Sequence, residues 1–515
     1  RRIGTGDANS RIRAAGKLIG KTANDISLAM LYANTDITGN DQSHNFLKSG
    51  NQNTHYLFGK FGREFADGAN QFSIAQSAVI RRDISDKFGN RNRNGYTTGA
   101  DFDLNLEDRR YKIHGSFIGS IIDPASLDSD TTSTMQNMQS KRYGTGGVLK
   151  MFDFSRQSFW YGLIFRWEDE DLDINDFGFK SSNDKIRSTI WTQYQYNSDT
   201  QTTPLLSLEM EAEITRGWFY AAGEGFNHHS PYEKIWSYGK GLPQFYNGWT
   251  NIDFQFRNYW FSWVGISVDS RNLTKYETRR FNGARGPLFM SQSEYSIWTG
   301  FATDYRQPYM GKFKYDYGSG KNGNLWHNFK VENRWIVSDQ ISVNLDAMYN
   351  PRHYSEHHYG NYENPANGIG GVSYVFAELD QDIMSLTLRS DILFSNNLSL
   401  QLYAQPFYTT GMFSSFRELK RPNTHDLGAV VGLNNPDFEN YEDSFEYAEV
   451  NVNMVLRWEF ALGSTAYLVW KHGRTSDDRV SGNAPIDEFD LEAVDFLRHE
   501  PENVILFKVS KWFSM

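Results

Sequence analysis

Residues 383 to 407 read IMSLTLRSDILFSNNLSLQLYAQPF. Met384, Leu386, Leu388, Ile392 and Phe394 fall on one face of an extended chain, interrupted only by Ser390. Ser385, Thr387, Arg389 and Asp391 fall on the other, which is the two-residue period of a strand. After the polar turn Ser395-Asn396-Asn397, Leu398, Leu400, Leu402 and Ala404 continue one face, and Ser399, Gln401 and Gln405 the other. Each arm is about ten residues, the length a tilted strand needs to cross a bilayer. A hairpin of a soluble sandwich alternates in the same way, so the reading turns on how often the pattern recurs.

It recurs along the whole chain. Strand-like segments begin near residue 10 and end near 513, and number about twenty-one. Ile341, Val343, Leu345, Ala347 and Tyr349 oppose Ser342, Asn344 and Asp346, while Val450, Val452, Met454, Leu456, Trp458 and Phe460 oppose Asn451, Asn453, Arg457 and Glu459. The connections alternate in length. Tight ones fall at Lys21–Asn24, Glu107–Arg109, Ser155–Arg156, Arg257–Asn258, Ser338–Gln340, Ser395–Asn397 and Leu462–Thr465; between them lie long polar stretches at 34–53, 122–141, 168–185, 221–247, 270–293, 350–382, 411–444 and 473–502. Outer-membrane barrels sort their connections this way, with short periplasmic turns and long extracellular loops.

Composition agrees. The chain has 515 residues, of which 16% are aromatic, yet its mean hydropathy is −0.61. A barrel with apolar outward and polar inward positions, aromatic girdles and wet loops combines these values. No run approaches the roughly 18 apolar residues of a membrane helix. There is no cysteine, so disulfides and thiolate chemistry are excluded, and the net charge of −10 argues against nucleic acid as a partner. No composition break divides the chain, and a single domain over 1–515 is expected.

The last strand places Ile505, Phe507, Val509 and Phe513 on one face, with Trp512 beside them, as a terminal strand and assembly signal would. Counting back from a periplasmic end leaves the first strand running inward from the exterior. Single-chain bacterial barrels are built with even strand numbers, so at least one strand is expected upstream of Arg1, making 22 or more in the full protein.

Candidate sites are weighed against plainer readings. Glu209, Glu211 and Glu213 form an acidic stripe on one face of a strand, opposite Leu208, Met210, Ala212 and Ile214. Lys330, Glu332, Arg334, Arg389, Asp391, Arg457 and Glu459 occupy polar faces where they can pair across strands. Together they read as a charged lumen lining rather than a catalytic pair, and no enzyme is expected. Gly16-Lys17-Leu18-Ile19-Gly20-Lys21-Thr22 lacks the spacing and first glycine of a phosphate loop. His353, His357 and His358, like His228 and His229, read as exposed loop histidines. The run from Glu168 to Asp176 offers oxygen ligands for calcium in an extracellular loop but lacks the EF-hand spacing, so a solvated loop is expected and no cofactor is required. Residues 486–498 carry the pattern of one short helix, with Asp487, Glu488 and Asp490 in its first turn.

Several phrases carry a resemblance: Arg1-Arg2-Ile3-Gly4, Gly16-Lys17-Leu18, Asp176-Phe177-Gly178-Phe179, the stretch from Leu398 to Phe407, Leu456-Arg457-Trp458-Glu459, Tyr467-Leu468-Val469-Trp470, and Asn503 to Ser510. In this order they resemble the C-terminal domain of unknown function, common in Bacteroidota, that follows a carbohydrate-binding module of the family-nine type. Leu462 stands where relatives carry proline. The resemblance implies an outer-membrane barrel with a sugar-binding-like domain and further strands upstream; it supplies no catalytic motif.

The sequence therefore predicts an all-β, large antiparallel transmembrane β-barrel in a bacterial outer membrane, in contact with lipid. Its expected work is passage or handling of a solute, carbohydrate being the candidate. The alternative is a loop-occluded barrel subunit that scaffolds other outer-membrane or surface proteins.

Overall fold

The computed structural model describes residues 9–38, 52–66, 68–82, 93–124, 141–176, 178, 180, 183–199, 202–218, 243–274, 278, 287–422, 424–433, 438, 443–481 and 500–512. Among these residues there is no helix, and 22 strands join one antiparallel sheet, with a separate two-stranded ribbon. Contacts divide the chain into two compact units, Arg1–Gln193 with Glu213–Tyr246, and Tyr194–Ala212 with Asn247–Met515.

The first unit holds β1 (Asn9–Lys21), β2 (Ile26–Thr38), β3 (Gln52–Phe65), β4 (Asn70–Arg82), β5 (Arg93–Leu106), β6 (Tyr111–Pro124), β7 (Arg142–Asp153) and β8 (Phe159–Glu168). Each pairs antiparallel with the next. Its short connections include the turn between β5 and β6, where Glu107, Asp108 and Arg109 all take positive φ, at 48°, 54° and 68°. Strands β9 (Lys185–Asn197), β10 (Leu205–Trp218) and β11 (Pro243–Phe256) contribute residues to both units.

The second unit continues with β12 (Phe261–Asp269), the ribbon β13 (Asn272–Thr274) and β14 (Phe289–Ser291), then β15 (Glu294–Ala302), β16 (Tyr309–Gly320) and β17 (Leu325–Ser338). The long strands β18 (Ile341–Glu363), β19 (Val372–Ser395) and β20 (Leu398–Leu419) follow. The unit ends with β21 (Leu427–Ala429), β22 (Asp443–Ala461), β23 (Ser464–Ser481) and β24 (Glu502–Ser510). Because β21 is a three-residue addition at the end of β20, which pairs directly with β22, the 22-stranded sheet has the expected twenty-one long strands.

Two expectations change. Residues 350–382, 411–444 and 473–502 are not simply loops: β18 and β19 pair from Ile341 and Ile392 as far as Glu363 and Val372, β20 reaches Leu419, and β23 stays paired with β22 as far as Ser481. The reason is a local core. Tyr374 and Phe376 bury themselves with Phe289 and Leu419, while Val375 and Ala377 pack with Phe416 and Phe438. These extensions bury apolar surface on both faces of β19, which offsets the entropy of ordering them. His353, His357 and His358 are accordingly strand residues of β18, not loop residues. The predicted helix at 486–498 lies outside the described residues.

Candidate functional site: a polar sheet face behind an apolar one

Ladder register in the second unit aligns two kinds of row. Phe301, Phe313, Val331, Ala347 and Leu386 are successive partners across β15, β16, β17, β18 and β19. One residue along, Lys312, Glu332, Asp346 and Thr387 are successive partners on the opposite face. A further polar row runs Arg334, Asn344, Arg389, Tyr403, Asn453 and Lys471 through to β23. Strict alternation thus gives the sheet one apolar face and one polar face.

The apolar face is the exposed one. Phe301 is 45% exposed, Val331 40% and Leu386 42%; a soluble monomer rarely leaves a contiguous apolar surface larger than a few hundred Å² uncovered. On β18 and β19 it runs from Ile341 opposite Ile392 to Tyr349 opposite Met384, about nine residues, which matches a tilted spanning strand. Polar groups bound it: the Tyr349 hydroxyl donates to Asp382 Oδ1 at 2.9 Å, and His353 Nδ1 lies 2.7 Å from Asp380 Oδ1. Tyr295, Tyr317, His327, Tyr315, Phe329 and Tyr349 cluster at this level, and Tyr309 packs against Trp335, their rings 5.7 Å apart and tilted, six residues from Tyr315 and Phe329 toward the short turns. Two aromatic belts around an apolar band are what a bilayer with two interfaces selects. Ser390, the polar interruption within the band, donates its hydroxyl to the Ser342 carbonyl at 3.1 Å.

On the polar face the charges are organised in pairs. Glu332 meets Lys330 at 2.5 Å and Lys312 at 3.3 Å, Lys314 meets Asp316 at 3.1 Å, and Arg457 meets Glu459 at 2.9 Å. The Arg389 guanidinium lies over the Tyr403 ring, and Gln401 donates to Asp391 at 3.0 Å. Arg334 donates to the Tyr305 carbonyl at 3.4 Å. The structure therefore brings Lys330 and Glu332 together, and Arg457 and Glu459, but leaves Arg334 and Arg389 outside those ion pairs. Glu209, Glu211 and Glu213 do share a face of β10, opposite Met210 and Ile214, which are 40% and 64% exposed. Glu213 Oε1 accepts from the Thr215 hydroxyl at 3.0 Å. In β24, Phe507 and Val509 are 72% and 53% exposed and pair with Leu468 and Ala466; the Trp512 amide donates to Ser464 Oγ. Phe513 lies outside the described residues.

Sequence reasoning missed the tryptophans. Trp263 lies over Gly300, Trp298 over Gly265 and Trp326 over Gly318, each glycine being its ladder partner. All three sit on the polar face, with the Trp298 indole N–H donated to Asn251 Oδ1 and that of Trp326 to Glu294 Oε1, both at 2.8 Å. An aromatic residue opposite a glycine was the available signal, since a ring can cover a bare backbone.

It also missed what the acidic run does in the first unit. Glu168 pairs with Lys180 at 2.7 Å, Asp173 with Arg142 at 3.6 Å and Asp176 with Arg81 at 2.6 Å, while Asp169 and Asp173 oxygens accept backbone N–H groups. The run is thus docked against the sheet, where a solvated loop was expected. Among the described residues no group of three or more His, Asp or Glu side chains converges as a metal site.

At a turn outside the apolar band, Arg306 donates from Nε at 2.9 Å and Nη2 at 2.8 Å to the two oxygens of Asp304 and lies over the Tyr259 ring. Those hydrogen bonds hold the Asp304 carboxyl well below the ordinary carboxylate range.

Solved structures similar to the chain include the FrpB iron transporter from Neisseria meningitidis, at 9% identity and a TM-score of 0.42, covering 88% of this chain and 73% of that one. The siderophore receptor PirA from Acinetobacter baumannii is 9% identical with a TM-score of 0.40, over 88% and 76%. The ferric citrate transporter FecA is 8% identical with a TM-score of 0.38, over 91% and 71%. Overlaps this loose carry no argument about function. None of the curated proteins matches the chain. The family model described as Domain of unknown function (DUF5916) matches residues 78–509, and the chain belongs to that family.

Proposed function

We propose that this protein is an outer-membrane β-barrel that lets a solute pass at the bacterial cell surface, lipid covering its apolar face and solute moving along its polar one. The observation that carries the reading is the pair of adjacent rows, Phe301 to Leu386 exposed and apolar, Lys312 to Thr387 charged and polar. A water-filled interior explains why so many charges line a sheet whose other face is this apolar. That the solute is a carbohydrate rests on the resemblance of the sequence alone. The test is reconstitution into planar bilayers and into sugar-loaded vesicles. Discrete conductance with sugar efflux supports passage; a silent, correctly folded protein rejects it.

A second reading is supported by the packed cores around Tyr374, Phe376, Val375 and Phe416, which build a firm surface from β18, β19 and β20. A scaffold subunit would present such a surface to other outer-membrane proteins. Companions retained in mild detergent and released on deletion of 420–442 would favour it over passage.

A further inference from the structure

The segment from Asp169 to Asp176 follows β8 and turns back over the polar face of β4, β5, β6 and β7. Its seat is built from glycines. A Cβ at Gly144 would stand 2.1 Å from the Leu172 backbone nitrogen, one at Gly146 2.7 Å from Leu172 Cδ2, and one at Gly95 2.3 Å from Asp176 Oδ2. Gly144 and Gly146 alternate with Tyr143 and Met151, the exposed apolar positions of β7, so the segment lies on the side away from them. Leu172 is 3% exposed there.

Backbone hydrogen bonds fix it. The Asp169 N–H donates to the Thr145 carbonyl at 2.8 Å, and the Asp173 N–H to Ser120 Oγ at 3.0 Å. Asn183 Nδ2 donates to the carbonyls of Glu170 and Leu172, at 2.5 and 3.2 Å. The far end is held by Arg81 and Asp176, 2.6 Å apart with side chains only 14% and 9% exposed. A pair so removed from water is strongly coupled, because losing either partner strands the other's charge.

We infer that Asp169–Asp176 is a fixed constriction on the polar face, latched by Arg81 and Asp176, that sets the size limit for the solute. This rests on the passage reading. A mobile surface loop would have no use for three glycines cut to its outline, nor for a nearly dry ion pair between residues 95 positions apart. The segment takes space that solute would otherwise occupy, so releasing it must widen the path.

Two measurements test this, both on protein whose folding is verified by heat-modifiable gel migration. First, Ser120→Cys with Asp173→Cys, in a chain that has no cysteine of its own, is oxidised in vesicles. Rapid disulfide formation is expected; its failure overturns the inference whatever the protein conducts. Second, conductance and the largest polyethylene glycol excluded are compared between wild type and Arg81→Gln/Asp176→Asn. The variant should conduct at least about twofold more, and the swap Arg81→Asp/Asp176→Arg should restore the original limit. A silent wild type rejects passage, and the size limit with it, even if the variant conducts. Equal, measurable conductance in both overturns the inference and leaves the passage reading standing. Silence in both, with the disulfide formed, rejects passage and the size limit with it.

Discussion

Trp298 lies against Gly265, its partner across β12 and β15, so that a Cβ on the glycine would stand 2.1 Å from Trp298 Cε2. The same cross-strand pairing of an aromatic ring and a bare backbone joins Phe102 to Gly115, Trp167 to Gly147, and Phe445 to Gly411. Gly265→Val would have to evict the indole and break its bond to Asn251. Overpacking of this kind costs about 1–3 kcal/mol. The expected outcome is a lower folded fraction on refolding into micelles, read by heat-modifiable migration; Gly16→Ala, with nothing within 4 Å of its Cβ, should refold as wild type does.

Glu332 stands between two lysines, Lys312 and Lys330. Glu332→Gln would leave two like charges facing each other across neighbouring strands. Because all three side chains keep some exposure, solvent screens the effect, and a loss of about 1 kcal/mol is expected, larger at low salt than at 0.5 M. Denaturant midpoints at two salt concentrations check both size and sign.

Asp304 is held ionised by Arg306, which depresses its carboxyl. A depressed acid contributes stability that is complete above its unfolded value, near 4, and disappears as pH falls below it. Protection of the amides at the β15–β16 turn, measured against their intrinsic exchange rates, should therefore fall on acidification from pH 5 to about pH 2 in the wild type. Asp304→Asn should already show lower protection at pH 5, and that protection should change little with pH.

His358 sits in the β18 extension against Phe376, their rings 5.7 Å apart, with Nε2 2.9 Å from Asn361 Oδ1. Burial lowers its pKa and the Asn361 bond only partly opposes this. A depressed histidine binds fewer protons than the unfolded chain does, so its contribution is full above about pH 6.5 and is lost as pH falls below that. Protection of the amides from Tyr374 to Ala377, measured against their intrinsic exchange rates, should fall between pH 7.5 and 5.5, and the change should be smaller in His358→Phe.

The hairpin at 383–407 was legible because a strand with one face in lipid must alternate, and β19 and β20 do so from Met384 to Ala404. Twenty-one long strands followed from the same rule. The extensions of β18 and β19 were not legible, because residues 373–377 are all buried, on both faces of the strand, and show no alternation. The docking of the acidic run was hidden for another reason. Asp176 finds its partner at Arg81, far away in sequence, and the glycines that admit the segment look like ordinary strand irregularities until their neighbours are in place. Charge pairing on the polar face was half legible: neighbours such as Lys330 and Glu332 sit two apart on one strand, whereas the contribution of Lys312 depends on ladder register.

The central claim is that Val331 and Leu386 face lipid while Arg389, on the opposite face of the same sheet, faces water. Single-cysteine variants at these three positions, in a chain with no other cysteine, can be labelled with an environment-sensitive fluorophore and placed in vesicles. Nitroxide lipids should quench the label at 331 and 386 and spare it at 389, while aqueous iodide should do the reverse. Iodide quenching at 331 and 386 equal to that at 389, with no effect of nitroxide lipid, would contradict the account.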